Sequence, residues 1–352
     1  MMSFGQTEQM PSISVVMATH NGERYLSQAL DSMAAQTYTN WEWVLVDDGS
    51  TDNSPEILTL FRKRFPGRVH VLRNEQNRGL TASLNRGLSV ARGQFIARMD
   101  DDDLAHPERL ARQVEAMIKD PDVLLLGTAA NRLDEKTGST SPFMACFDSV
   151  RLRINLCWFN PIMHASVMFR RLAPDGSPFR YNEGFTTAQD YELWTRMSGM
   201  GKLAVLDIPL MTHRLRAKSI TGSRRQHQLD MTREVSEAYT SRLLGDGPLA
   251  ASSPGDLREW IDDRSLPDIL RLKRVRDLFR VVSDVPWLGR SAGQQAFACW
   301  AEALLEGQRW TDLWMGDAGR LLRACGWAGA GYLVRRAGRR AMVDGQKTMA
   351  DG

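Results

Sequence analysis

Between Ser12 and Leu126 short apolar runs alternate with helical patterns, and this limits the fold more than any other feature of the chain. Ile13–Ala18, Trp43–Val46, Val69–Leu72, Gln94–Met99 and Val123–Gly127 read as buried strands. The intervening segments Glu23–Ala35, Pro55–Phe65, Leu80–Ala91 and Pro107–Lys119 read as helices. Asp52 and Ser54 are placed to cap the second of these, with Pro55 in its first turn. Strands and helices alternating at this spacing predict βαβ units and a parallel sheet covered on both faces. Ligands of such sheets bind at the carboxyl ends of the strands.

Those ends are strongly polar. The first strand runs into Thr19-His20-Asn21-Gly22, and the second into Asp47-Asp48-Gly49-Ser50. The third runs into Arg73-Asn74-Glu75, and the fourth into four consecutive aspartates, Asp100 to Asp103. Adjacent carboxylates repel one another unless a cation neutralises them. Hard divalent ions such as Mg²⁺ or Mn²⁺ favour such oxygens and share them with substrate phosphates. The alternative for the run is an acidic helix N-terminus ahead of Pro107. A carboxylate at Asp47 or Asp48 can accept from a base N–H or a ribose hydroxyl, while an ordinary Asp-Gly turn fits the same letters. Asp190 precedes Leu193, Trp194 and Met197. Apolar neighbours can raise a carboxylate's pKa and make it a general base, and a plain helix N-cap is the competing reading.

These segments resemble the family 2 glycosyltransferases. The resemblance is carried by V-V-M-A-T-H-N-G-E-R-Y-L (15–26), V-L-V-D-D-G-S-T-D (44–52), R-N-E-Q-N-R-G-L-T-A-S-L-N-R-G (73–87), F-I-A-R-M-D-D-D-D-L-A-H-P-E-R-L (95–110), N-P-I-M-H-A-S-V-M-F-R-R (160–171) and Q-D-Y-E-L-W-T-R (189–196), in the family's order. It implies an α/β, Rossmann-like nucleotide-diphospho-sugar transferase (A-type glycosyltransferase) fold and inverting sugar transfer from a nucleotide-sugar donor. Thr19, Asn21 and Glu23 fall where the family lines the nucleotide pocket. Asp48, with Asp47, would bind the base, and Arg73 would help to hold it. Asp100, with Asp101, falls on the donor's ribose or the bridge to metal, and Asp102 on the ion, with Asp103 in support. The register within Asp100–Asp103 stays ambiguous by one. Asp190 would deprotonate the acceptor hydroxyl.

There are departures. Gln189 stands where relatives often carry Glu, and Arg216 where they often carry His, so Arg216 is expected to pair with phosphate directly. His213 reads either as a ligand or as a satisfied surface imidazole, and His164 as an acceptor-side contact or a structural ring. Trp194 reads as a sugar platform or a core aromatic.

Bulk properties narrow the rest. The net charge of +3 over 352 residues gives no argument for nucleic acid. Four cysteines with no C-x-x-C pair suggest neither a zinc site nor a disulfide framework and fit a reducing cytoplasm. Residues 1–11 are polar and expected to be flexible, and no apolar run approaches the roughly 18 residues of a membrane span. Residues 12–222 are read as the catalytic domain, with a nucleotide-sugar half (12–128) and an acceptor half (129–222). Residues 223–352 read as a helical C-terminal extension, broken near Gly245–Pro254, Pro286 and Gly289. Its basic stretches, Arg271 to Arg276 and Trp327 to Arg340, suit either an anionic lipid surface, and so a saccharide or lipid-linked acceptor at the inner face of the membrane, or a helical cap. Two rivals remain. A sugar nucleotidyltransferase would carry a Gly-rich phosphate loop after the first strand, where this chain has Thr19-His20-Asn21-Gly22. A non-catalytic nucleotide-sugar binder or membrane-surface scaffold would have lost Asp100, Asp102 or Asp190.

Overall fold

The computed structural model describes residues 12–143, 149–157, 159–215 and 225–244. Residues 1–11, Arg216, Arg271–Arg276 and Trp327–Arg340 therefore lie outside the described residues. Compactness divides the chain into Met1–Ser236 and Glu237–Gly352, and only residues 237–244 of the second unit are described.

The first half follows the expected alternation. β1 (Ile13–Thr19), β2 (Trp41–Asp47), β3 (Val69–Arg73) and β4 (Phe95–Arg98) are joined through α1 (Leu26–Ala34), α2 (Ser54–Arg64) and α3 (Leu80–Val90). These four strands pair in parallel, β1 taking β2 on one side and β4 on the other. Every residue of β1 and β2 is buried, as strands covered on both faces must be. Trp43 is fully enclosed, with Phe61 5.5 Å and Trp41 6.4 Å away between ring centres. Burying a large apolar side chain of this kind contributes roughly 1.5–3 kcal/mol.

The second half adds partly antiparallel strands to the parallel βαβ units. β5 (Leu104–Ala105) and α4 (Arg109–Lys119) lead into β6 (Val123–Asp134), β7 (Thr140–Phe143) and α5 (Ser149–Asn155). A 3₁₀ turn at His164–Ser166 precedes β8 (Met168–Arg170), which is followed by α6 (Gln189–Ser198), β9 (Lys202–Leu215) and α7 (Arg225–Leu244). The sheet order is β3-β2-β1-β4-β8-β6-β9-β5, with β7 attached to β6. β8 runs antiparallel to both β4 and β6, and β5 antiparallel to β9. A three-residue strand entered from a loop needs no helical crossover, so it can be inserted against the grain of the sheet.

The capping expectation for α2 is corrected. Asn53 holds the cap position without a side-chain cap bond, and Ser54 is the first helical residue. The Asp52 carboxylate accepts from the Ser54 N–H and, across to the neighbouring loop, from the Glu23 N–H.

Candidate active site

Register brings the crest together. In the parallel pairing Thr19 lies opposite Asp47, and Asp47 opposite Arg73, so three of the expected residues stand abreast at the carboxyl edge. The loops beyond are stitched to one another. Asn21 receives the Thr51 N–H through its Oδ1 (2.9 Å), and the Glu23 carboxylate receives the Asn53 backbone and side-chain N–H groups (3.0 and 2.8 Å). Asn21 adopts φ 54°, a left-handed conformation that Asn tolerates better than most residues.

The two aspartates of β2 have distinct duties. Buried Asp47 accepts from the Ser50 N–H (2.9 Å) and faces the Arg73 guanidinium at 3.3 Å. Buried Asp48 accepts from the Asn74 amide (2.6 Å) and from the Arg78 and Gly79 N–H groups (2.8 and 2.9 Å). A carboxylate offers about four acceptor positions, so Asp48 spends most of its capacity shaping the loop after β3. Gly49 permits this approach. Its φ is +69°, and a Cβ there would fall 2.6–2.8 Å from the backbone of Gln76 and Asn77.

The acidic run follows β4. Thr19 donates its hydroxyl to Asp101. Gly22 closes over that bond, since a Cβ on it would lie 2.4 Å from both Thr19 Oγ1 and Asp101 Oδ2. Asp103 is fully buried and accepts from the Arg214 N–H (3.0 Å) and the His213 imidazole (3.1 Å). The Asp103 bond, opposed by burial, raises the His213 pKa, so the imidazole belongs to the support of the acidic run. Asp100, Asp102 and Asp103 each offer a carboxylate oxygen within 4.8 Å of the other two. Three hard oxygen donors at that spacing fit Mg²⁺ or Mn²⁺. A cavity of about 740 Å³ opens beside Asp101 and Asp102, lined also by Asn21, Gly22, Arg24 and Lys136 among others.

Beneath the run lie two arginines that sequence reasoning missed. Arg98, 1% exposed, pairs through Nη1 with Asp100, while its Nε and Nη2 have no hydrogen-bond partner among the described residues. Arg109, fully buried, donates from Nη2 to the Arg98 carbonyl (2.7 Å) and the Val167 carbonyl (3.2 Å). Burial first, then the neighbouring Arg98 charge, lower the Arg109 pKa to about 9. The available signal was one cation inside an apolar strand, in Phe95-Ile96-Ala97-Arg98-Met99.

Asp190 occupies the first turn of α6. Ala188, just before the helix, takes φ 57°, a conformation costly for a residue with a Cβ and held here by its surroundings. Burial raises the Asp190 pKa above the ordinary carboxylate value, against opposing backbone N–H bonds and the Arg98 charge, with the Asp100 charge adding to the rise. Asn160 donates to Asp190 Oδ2 at 2.8 Å, a contact the sequence did not announce. Gln189 is buried beside it. His164 bonds to the Tyr181 hydroxyl (2.8 Å), and burial, reinforced by Arg98, holds its pKa well below the usual imidazole value, so the ring is neutral. Trp194 is completely buried, 6.0 Å from the His164 ring and 6.2 Å from Phe169. Of its two readings the core aromatic holds, because an enclosed ring offers no face to a sugar.

Residues 14–173 match the family described as Glycosyl transferase family 2. The protein EpsE of Bacillus subtilis (strain 168), which carries a provisional glycosyltransferase assignment, is 32% identical over 192 residues, covering 53% of this chain and 66% of EpsE. Staphylococcus aureus TarS 1–349, solved with UDP, superposes with a TM-score of 0.53 at 18% identity, covering 85% of this chain and 93% of that one. The mannosyltransferase PcManGT of Pyrobaculum calidifontis, solved with GDP-Man and Mn²⁺, gives 0.51 at 20% identity, covering 90% and 86%. At such identities the structures establish the fold, which is that of the A-type glycosyltransferases. Among the described residues no helix is long and apolar enough to cross a membrane.

Proposed function

The chain belongs to glycosyltransferase family 2, and from that premise we propose that it transfers a sugar from a nucleotide-sugar donor, UDP-linked, to an acceptor hydroxyl with inversion at the anomeric carbon. The observation that carries this reading is an acidic triad after β4 together with a separate, partly desolvated carboxylate that feels the Asp100 charge. Asp100 and Asp102, backed by Asp103, would hold a divalent cation, and Asp190 would take a proton. TarS solved with UDP supports a UDP-linked donor, and PcManGT solved with GDP-Man and Mn²⁺ supports the broader nucleotide-sugar class and the metal.

The division of labour follows from where charge moves. Thr19, Asn21 and Glu23 frame the nucleotide side, Asp47 and Arg73 present hydrogen-bonding groups to base and ribose, and Asp48 shapes the loop beside them. Asp100 and Asp102 would hold the ion, with Asp103 and His213 behind them. A divalent cation bound there supplies Lewis-acid charge to the departing diphosphate. The acceptor oxygen bonds to the anomeric carbon from the face opposite the diphosphate, the sugar–phosphate bond breaks, and the hydroxyl proton passes to Asp190. One displacement with one base inverts the centre, with no need for the carboxylate nucleophile that a retaining hydrolase uses. The basic C-terminal sequence supports a saccharide or lipid-linked acceptor of the cell envelope met at the inner membrane face.

Proton NMR of the sugar first released into water from UDP-GlcNAc or GDP-mannose, with Mn²⁺, tests the stereochemistry. Inversion of an α-linked donor gives the β-anomer ahead of mutarotation. Early α-anomer would show retention and remove Asp190 from its role.

A further inference from the structure

Asn160 lies in the loop between α5 and the 3₁₀ turn, thirty positions from Asp190 in sequence, and its side-chain amide is engaged at both ends. Oδ1 accepts from the Ile162 N–H at 3.1 Å, across Pro161, and Nδ2 donates to Asp190 Oδ2 at 2.8 Å. Side-chain amide orientation is assigned from partners, and here the partners leave one choice. The Ile162 N–H can only donate and an ionised carboxylate can only accept. Turning the amide over would set NH₂ against N–H and oxygen against carboxylate. The loop backbone therefore fixes which end of Asn160 the carboxylate meets.

From this we propose that Asn160 is a positioning residue for the carboxylate of Asp190, presenting it to the acceptor and favouring its ionised form. The proposal rests on the reading of Asp190 as the base. Burial works against ionisation at Asp190, and a donated hydrogen bond favours the charged state. Other charged or titratable groups face it too: Arg98 from β4, which favours ionisation, Asp100 beyond β4, which opposes it, and the Tyr181 phenol from the segment before α6. Glu192, on the same helix, is paired with Arg196. Asn160 adds to these a directional bond of 2.8 Å to an oxygen of the base. Its two side-chain bonds run to Asp190 and to the Ile162 N–H and not to the acidic run, so its loss is expected to fall on proton removal and to leave donor affinity in place.

The test is a carbon-13 NMR pH titration of the aspartate carboxyl carbons in the full-length protein, with the Asp190 resonance identified by its disappearance in Asp190→Asn. Asn160→Ala is expected to raise the Asp190 midpoint by roughly half to one pH unit. Asn160→Asp keeps an oxygen for the Ile162 N–H, and so keeps the loop, while replacing the donor with a second acid. There the two carboxylates titrate as a pair, with the upper step above the wild-type midpoint. In parallel, nucleotide release from UDP-GlcNAc or GDP-mannose with Mn²⁺ should show an acid limb displaced upward in both variants, with KM for donor unchanged. An unmoved midpoint in both variants overturns the proposal. Asp190→Asn separates the two ideas. If it keeps near wild-type turnover, the base reading falls while the titration still reports the Asn160 contact. If it is inactive and the midpoints do not move, positioning alone falls.

Discussion

The buried guanidinium of Arg98 pairs with the half-exposed carboxylate of Asp100, so a side chain expected to serve the donor is also the counter-charge of an arginine inside the sheet. Arg98 Nε and Nη2 have no other partner among the described residues. Removing one member of a buried pair leaves an uncompensated charge and costs about 3–5 kcal/mol. Asp100→Asn is therefore expected to destabilise the fold as well as weaken donor binding. At about 2–4 °C per kcal/mol for a domain of this size, a fall in Tm of roughly 10 °C should appear in a melt without ligand. An unchanged melt would mean that Arg98 is neutralised elsewhere.

Asp190 has the opposite sign. Its folded pKa is raised above the unfolded value of about 3.9, so the folded state holds this proton more tightly. The stability it contributes is complete below the unfolded pKa and is lost as pH rises through the folded pKa. Above the folded pKa wild type carries an ionised, desolvated carboxylate that Asp190→Asn lacks. The variant should then melt higher than wild type above that pKa, pH 7 being the comparison point, with the gap narrowing as pH falls toward it. A variant that melts lower at pH 7 would contradict the burial argument. Sugar transfer should be lost throughout.

Trp194 is enclosed between His164 and Phe169, and truncating a ring so placed costs about 3–5 kcal/mol. Trp194→Ala should lower Tm by roughly 10 °C. A near-neutral melt combined with a raised acceptor KM would instead make the ring a sugar platform.

Gly22 leaves no room for a methyl group beside Thr19 Oγ1 and Asp101 Oδ2. Gly22→Ala should cost about 1–3 kcal/mol and break the Thr19–Asp101 bond, with donor affinity falling along with Tm. Calorimetry with UDP-GlcNAc beside a thermal melt measures both.

How far the sequence was readable follows from what each residue answers to. β1 and β2 were visible because strands buried on both faces must be apolar throughout, as Val15-Val16-Met17 and Val44-Leu45-Val46 are. Thr19, Asp47 and Arg73 were legible because parallel register places successive strand ends abreast. β8 was not, since three residues carry no period and its antiparallel direction is set by the loop that delivers it. Asn160 and Tyr181 escaped for a related reason. Their partners, Asp190 and His164, are distant in sequence, and only the fold brings them within 3 Å. Asp48 shows the converse, a residue found correctly at the crest whose carboxylate is turned largely to its own loop.

The central claim is a donor site built on the acidic triad, and the most direct measurement is a thermal shift with UDP-GlcNAc and with GDP-mannose, each with and without Mn²⁺, on wild type and Asp102→Asn. A ligand at about 100 times its Kd stabilises the folded state by roughly 2.7 kcal/mol, which raises Tm by several degrees. The account predicts a rise in wild type that requires both one nucleotide sugar and Mn²⁺, and no metal-dependent rise in Asp102→Asn. An equal metal-dependent rise in the variant would place the ion elsewhere, and no rise with either donor in wild type would contradict the donor site itself.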